Sequence, residues 1–257
     1  MLAFNNLLYH VYAQICKKVI ILVELIILVL SIRMWLMLKA VIFDMDGVII
    51  DSEPIYHEIE MTLFRELVLG ISEKEQRSYA GTKTGDMWSE LKEKYGIEKS
   101  VEELVELEAK RYREYLESGD GLRLIPGVVH LIEELSVNDV IIAVASSSSP
   151  EDIETVLSTF NRKNYFKIAV SGIEVQRGKP APDIFELTVK RLEVLPEECI
   201  VIEDSGNGVK AAKAAGIKCV GLRSLNSGNQ DLSAADLIIE SFGEINYKKL
   251  KALCEEM

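Results

Sequence analysis

VIFDMDGVIIDSEP, residues 41–54, ends an apolar run on two aspartates one residue apart and then breaks it with a glycine. Side chains alternate along an extended chain, so Asp44 and Asp46 fall on the same side, and Gly47 lets the backbone turn away at once. Working outward, the run belongs to KAVIFD (39–44), and five similar β-rich runs follow: VIIAVAS (140–146), FKIAVSG (166–172), CIVIED (199–204), IKCVGL (217–222) and DLIIES (236–241). They are apolar on both faces and alternate with helical patterns, which predicts a parallel sheet covered on both sides. The expected fold class is α/β, a doubly wound parallel sheet.

The spacing of the runs is uneven. From 45 to 139 there is no comparable strand, only helical periodicity: Ile55, Ile59, Leu63, Phe64 and Leu67, then Met87, Trp88, Leu91 and Tyr95, then Val101, Leu104, Val105, Tyr112 and Leu116. Ser52 and Pro54 suit a helix start, and SGDGLRLIPG (118–127) is rich in turn residues. Residues 53–122 are therefore expected to form an all-helical cap with its own aromatic core, inserted into a core made of 39–52 and 123–257.

A formal charge of −12 disfavours non-specific binding to nucleic acid or to an anionic membrane. Cys16, Cys199, Cys219 and Cys254 are scattered without a CxxC, so neither a zinc site nor a disulfide framework is expected, and a reducing, cytoplasmic setting is the simpler one. Residues 1–38 differ from the rest, with Lys17, Lys18 and Arg33 against only Glu24. Their apolar stretch 19–32 is short of the ~20 residues of a membrane span, carries Glu24 in its middle and lacks a signal-peptide cleavage site. We read it as an extension that the fold does not need; a membrane-associated anchor and a docked extra helix are the alternatives.

In open α/β sheets ligands bind beyond the carboxyl ends of the strands. Those ends carry Asp44-Met45-Asp46-Gly47, Ser146 to Pro150, and Glu203-Asp204-Ser205-Gly206, while the loop Arg177 to Asp183 follows the third run. Carboxylates crowded into one crevice repel one another unless a cation compensates, and an all-oxygen set without His or Cys suits Mg2+. Such an ion lets Asp44 meet a phosphate and attack its phosphorus. Asp46 can protonate the leaving oxygen and later take a proton from water. Lys179 would neutralise the transferring group, and the Ser146 hydroxyl with nearby backbone N–H groups, those of Ser147 and Gly47 among them, would bind its oxygens. His57, near the start of the cap, is a candidate substrate contact.

FDMDGV, the strand ending at Ser146, GKPAPDIF around Lys179 and IEDSGNGVKAA around Glu203-Asp204 resemble, in order, the four motifs of the haloacid dehalogenase-like superfamily. The start DSEP of the insert is similar to the branch holding beta-phosphoglucomutase and sugar-phosphate phosphatases. The resemblance implies Asp44 as a phosphorylated nucleophile and Asp46 as acid and base. It implies Mg2+ held by the Asp44 carboxylate, the Asp46 carbonyl and Asp204, with Glu203 bound through water or standing behind. It also implies a central first strand, flanked by those ending in Ser146 and Asp204.

Blander roles suit the two aspartates poorly. A turn needs one aspartate, not two, and D-x-D-G places the glycine too early for a calcium loop. The four serines 146–149 could be a flexible loop leading into a helix capped near Ser149-Pro150. GNGVKA (206–211) fits a dinucleotide fingerprint, but Glu203 and Asp204 would repel a pyrophosphate. Where the mutase has a cap histidine this chain has Tyr56, with His57 turned about 100° around the helix. Where the mutase has an arginine, it has Thr84 beside Lys83. The expected function is a Mg2+-dependent phosphomonoesterase acting on a small sugar or polyol phosphate. The alternatives are a mutase and a catalytically silent phosphate-binding protein.

Overall fold

The computed structural model describes residues 17–19, 38–79, 84–118, 121–224, 226 and 228–256. The apolar extension, which carries the question of a membrane anchor, lies almost wholly outside the described residues, as does Lys83. Among those described, no helix is long and apolar enough to cross a membrane.

The six apolar runs are all strands: β1 (Ala40–Phe43), β2 (Ile141–Ser146), β3 (Ile168–Ser171), β4 (Cys199–Glu203), β5 (Lys218–Leu222) and β6 (Leu237–Ile239). They form one parallel sheet in the order β3-β2-β1-β4-β5-β6. The central place of β1 follows from its residues. Val41 and Phe43 enter one core with Val144 and Ile202, Ala40 and Ile42 the opposite one with Ala143 and Val201, and all four β1 side chains are fully buried. Each large apolar side chain so placed contributes roughly 1.5–3 kcal/mol.

Between β1 and β2 the insert folds as α1 (Glu53–Glu66), α2 (Glu73–Arg77), α3 (Thr84–Tyr95) and α4 (Val101–Ser118). In the core, α5 (Val128–Val137), α6 (Pro150–Thr159) and α9 (Tyr247–Glu255) cover one face of the sheet. The other is covered by α7 (Asp183–Leu192) and α8 (Gly206–Ala214). The chain leaves and re-enters the core side by side: Asp51 N–H donates to Arg123 O (2.9 Å) and Ile125 N–H to Ile49 O (2.9 Å). Pro54 sits in the first turn of α1, as its fixed φ favours. Ser52 does not cap that helix through its hydroxyl. Its backbone is already helical (φ −86°, ψ −18°), whereas a capping side chain needs an extended backbone to reach the first N–H groups.

The buried apolar side chains of the insert are continuous with the core on the Val41 and Phe43 face of the sheet, not a separate cluster as the sequence suggests. Trp88 is fully buried, meets Phe64 edge to face at 5.6 Å, and donates its Nε1–H to Glu108 Oε2 at 2.6 Å. Burial, and then the charge of Glu60, push the Glu108 carboxyl up to about 7. In the unfolded chain it titrates near 4.5, so between the two values the native state binds more protons and stability must fall as pH rises. At about pH 8 the ionised group costs on the order of 3 kcal/mol. Glu108→Gln keeps an acceptor for Trp88. Urea unfolding should find it more stable than the parent above about pH 7, with the difference fading toward about pH 5.

Candidate active site

Strand register builds the site. Phe43 pairs with Val144 on one side and Ile202 on the other, so one step further along Asp44 comes level with Ala145 and Glu203. Asp44 N–H continues the ladder to Ile202 O at 3.0 Å. Asp44, Glu203 and Asp204 are all buried, and each offers an oxygen within 4.8 Å of the others.

Lys179 enters this cluster from the loop between β3 and α7. Its Nζ donates to Asp44 Oδ1 (2.5 Å), Glu203 Oε1 (2.7 Å) and Ala145 O (3.1 Å), and it lies 5.1 Å from the centre of the Phe185 ring. Burial works to lower the pKa of this ammonium, but the Asp44 and Glu203 charges outweigh it and hold the group above its ordinary range. For Asp44 burial is the largest influence and pushes the carboxyl up. Lys179 pulls it back, and Glu203 and Asp46 add to the rise. One ammonium among buried carboxylates leaves a surplus of negative charge that a hard cation would offset.

Both carboxylate oxygens of Glu203 accept hydrogen bonds. Besides Lys179 on Oε1, its Oε2 accepts from Ser205 N–H (2.9 Å) and the Ser205 hydroxyl (2.9 Å). Ser205 in turn caps α8 by accepting from Gly208 N–H at 3.0 Å. A Cβ on Gly208 would stand 1.7 Å from Glu203 Oε1, so the glycine of GNGVKA is there to let α8 close over a carboxylate. The N–H groups a dinucleotide fingerprint would offer an anion are also taken, Gly206's by Gln230 Oε1 (3.1 Å) and Gly208's by Ser205 Oγ (3.0 Å).

Asp46 is held from two sides. Ser148 donates its hydroxyl to Oδ2 (2.9 Å), and Tyr112, reaching down from α4 of the insert, donates to Oδ1 (3.1 Å). Tyr112 is 2% exposed and stacks on Tyr56 with ring centres 4.5 Å apart. The serine run has fixed roles. Ser146 Oγ accepts from Ser148 N–H (3.1 Å), Ser171 donates to Ser148 O (2.6 Å), and Ser149 caps α6 by accepting from Asp152 N–H (3.1 Å).

A cavity of about 470 Å³ brings Asp44, Asp46, Ser146, Ser147, Lys179, Glu203 and Asp204 together. Gly47 also lines it, at φ +71°, but donates its N–H to Ile50 O (2.8 Å), so that donor serves the turn and not a ligand. His57 is not in this cavity. Its Nδ1 donates to Gln76 Oε1, and it lines a neighbouring space, while Tyr56 lines the cavity at Asp44. The helical step of about 100° between the two positions accounts for the exchange. Reading the sequence alone did not single out Tyr112, Ser148 or Glu53. Tyr112 reads only as part of a helical apolar stripe, Glu53 only as part of the DSEP that opens the insert, and Ser148 is hidden in a run of like residues.

A doubly wound sheet that carries these loops at its carboxyl edge, with a helical insert after the first strand, defines a class of hydrolases. The chain belongs to the haloacid dehalogenase-like hydrolase family, which it matches over residues 41–222. A phosphorylated carbohydrates phosphatase of Thermotoga maritima is 34% identical over 213 residues, 81% of this chain and 96% of its own. Among solved structures, CbbY from Rhodobacter sphaeroides in complex with phosphate is 26% identical, with a TM-score of 0.67 over 81% of this chain and 96% of that one. A beta-phosphoglucomutase of Clostridium difficile is 25% identical, with a TM-score of 0.69 over 85% and 97%.

Proposed function

We propose that this chain is a Mg2+-dependent phosphomonoesterase that hydrolyses a small sugar or polyol phosphate through an aspartyl-phosphate on Asp44. The observation that carries the reading is the placement of Asp44 against Lys179, with Asp46 two residues on and held by its own donors.

The donor set fits the metal. It is made of oxygens alone, from buried carboxylates within one ion's reach. Asp44, Asp204 and the Asp46 carbonyl would hold the ion, while Glu203, with both oxygens committed, anchors Lys179 and Ser205 instead. When bound, Mg2+ supplies charge that lets a carboxylate approach a phosphate dianion. The protein does the rest. An Asp44 oxygen forms a bond to phosphorus as the ester P–O bond breaks, and Asp46 gives its proton to the departing alkoxide. Asp46 then takes a proton from water as the water oxygen bonds to phosphorus, and the Asp44 carboxylate leaves with inorganic phosphate released. Lys179, the Ser146 hydroxyl and the backbone at Ser147 hold the phosphoryl oxygens. The cap closes the site to bulk water.

Tyr112 positions Asp46 and does not touch the phosphoryl group. Losing one hydrogen bond to a charged group costs about 1.5–3 kcal/mol. Tyr112→Phe should therefore lower kcat roughly tenfold or more while KM moves less than about twofold, a split that general loosening of the fold would not produce.

The function is tested by phosphate release from a panel of phosphorylated metabolites. Release should occur with Mg2+, stop with a chelator and return when the ion is restored. Formation of glucose 6-phosphate from beta-glucose 1-phosphate and a bisphosphate primer would favour the mutase. Binding of phosphate without any turnover would favour the silent protein.

A further inference from the structure

Among the described residues that line the cavity at Asp44, one comes from beyond α8. Gln230, in the connection between β5 and β6, is half-buried and borders both that cavity and a neighbouring space of about 100 Å³ that Asp204 also lines. The chain beside it is anchored on two sides. Leu232 is buried, and a Cβ at Gly221 of β5 would come 3.3 Å from the Leu232 Cβ, so this stretch lies against the sheet. Asp231 approaches α8 as closely, because a Cβ at Gly206 would stand 2.8 Å from the Asp231 carbonyl oxygen.

From this anchored stretch the Gln230 side chain reaches one of the donors that a helix start leaves open. Ser205 N–H goes to Glu203 Oε2 (2.9 Å) and Gly208 N–H to Ser205 Oγ (3.0 Å), both inside the segment 203–208. Gly206 N–H instead goes to Gln230 Oε1 (3.1 Å), 24 residues away in the chain. Glu203 is fixed by its place in β4, level with Gly221 of β5, so Asp204 is strung between a strand end and a helix start that Gln230 holds. The oxygen is the end of the amide that works inside the protein; among the described residues Nε2 has no partner.

We propose that Gln230 is a positioning residue for the Mg2+ site: by holding the first N–H of α8 it fixes the direction of the Asp204 carboxylate. This rests on the metal reading above and is tested on binding, apart from turnover. Calorimetry of Mg2+ with the full chain compares the parent with Gln230→Met, which keeps the length but has no oxygen acceptor, and with Gln230→Glu, which keeps the acceptor and loses the amide donors. Partners that stand behind a metal ligand commonly set about 10–100-fold in affinity. Gln230→Met should weaken Mg2+ binding at least about threefold and speed hydrogen exchange at the Gly206 amide by at least as much. Gln230→Glu should restore both, binding the ion at least as tightly as the parent does and exchanging Gly206 no faster. A Met variant that changes Mg2+ affinity by less than about threefold, or a Glu variant as weak as the Met one, overturns the assignment while leaving the metal reading intact. A parent that binds no Mg2+ overturns both.

Discussion

Asp44→Asn should fold like the parent and lose at least about four orders of magnitude in phosphate release. Asparagine has the shape of aspartate, and its Oδ1 can still accept from Lys179 Nζ, the contact made at 2.5 Å in the parent. Packing is therefore kept, and the melting temperature should stay within a few degrees, about 1 kcal/mol in stability. What disappears is the anionic oxygen that bonds to phosphorus, because an amide oxygen is neutral and a poor nucleophile. Four orders of magnitude correspond to about 5.5 kcal/mol in the barrier. Hydroxylamine should trap an acyl-phosphate in the parent during turnover and none in the variant. More than about 1% residual turnover would sink the nucleophile assignment.

Lys179→Met removes a charge but keeps the length of the side chain, and it should be the most destabilising change in the site. The ammonium now satisfies Asp44, Glu203 and the Ala145 carbonyl, with its side chain 7% exposed. Taking one partner from a buried ionic cluster leaves the others desolvated and unpaired, at a cost of about 3–5 kcal/mol. Urea unfolding reads this directly, and the deficit should shrink at acid pH. Without Lys179 the carboxylates bind protons more tightly in the native state than in the unfolded chain, so lowering the pH favours folding. Phosphate release should fall about a thousandfold, since the cation also faces the transferring group. A variant within about 1 kcal/mol of the parent at neutral pH would show that Lys179 is not what holds the cluster together.

The sheet was legible because its strands are buried on both faces, and AVIF at 40–43 has no polar side to mislead. Strand order was not in any one run. It came from the resemblance of four motifs taken together, since nothing local in CIVIE says that it pairs with AVIF. Motif residues at strand ends could be found because a strand end must lie at the sheet's edge, where Asp44, Ser146 and Glu203 now meet in one cavity. The cap contacts were harder. Tyr112 lies 66 residues from Asp46 in the chain, and its helical spacing reads as core, which is also true of it. His57 and Tyr56 differ by one position, and only the packed phase of α1 decides which lines the cavity at Asp44. Gly208 was visible as a glycine, but the carboxylate it makes room for is five residues back and on another element.

The paired strands of chain at Ile49–Asp51 and Arg123–Ile125 bear on how such a family diversifies. Because the two attachment points are already neighbours, swapping in a longer or shorter helical module changes the entropy of closing that loop only logarithmically, about 0.6 kcal/mol per doubling. On the phosphomonoesterase reading proposed above, the chemistry at the sheet and the choice of metabolite could therefore be inherited separately, the first kept by the α/β framework and the second rewritten by exchanging what is grafted between those two rungs.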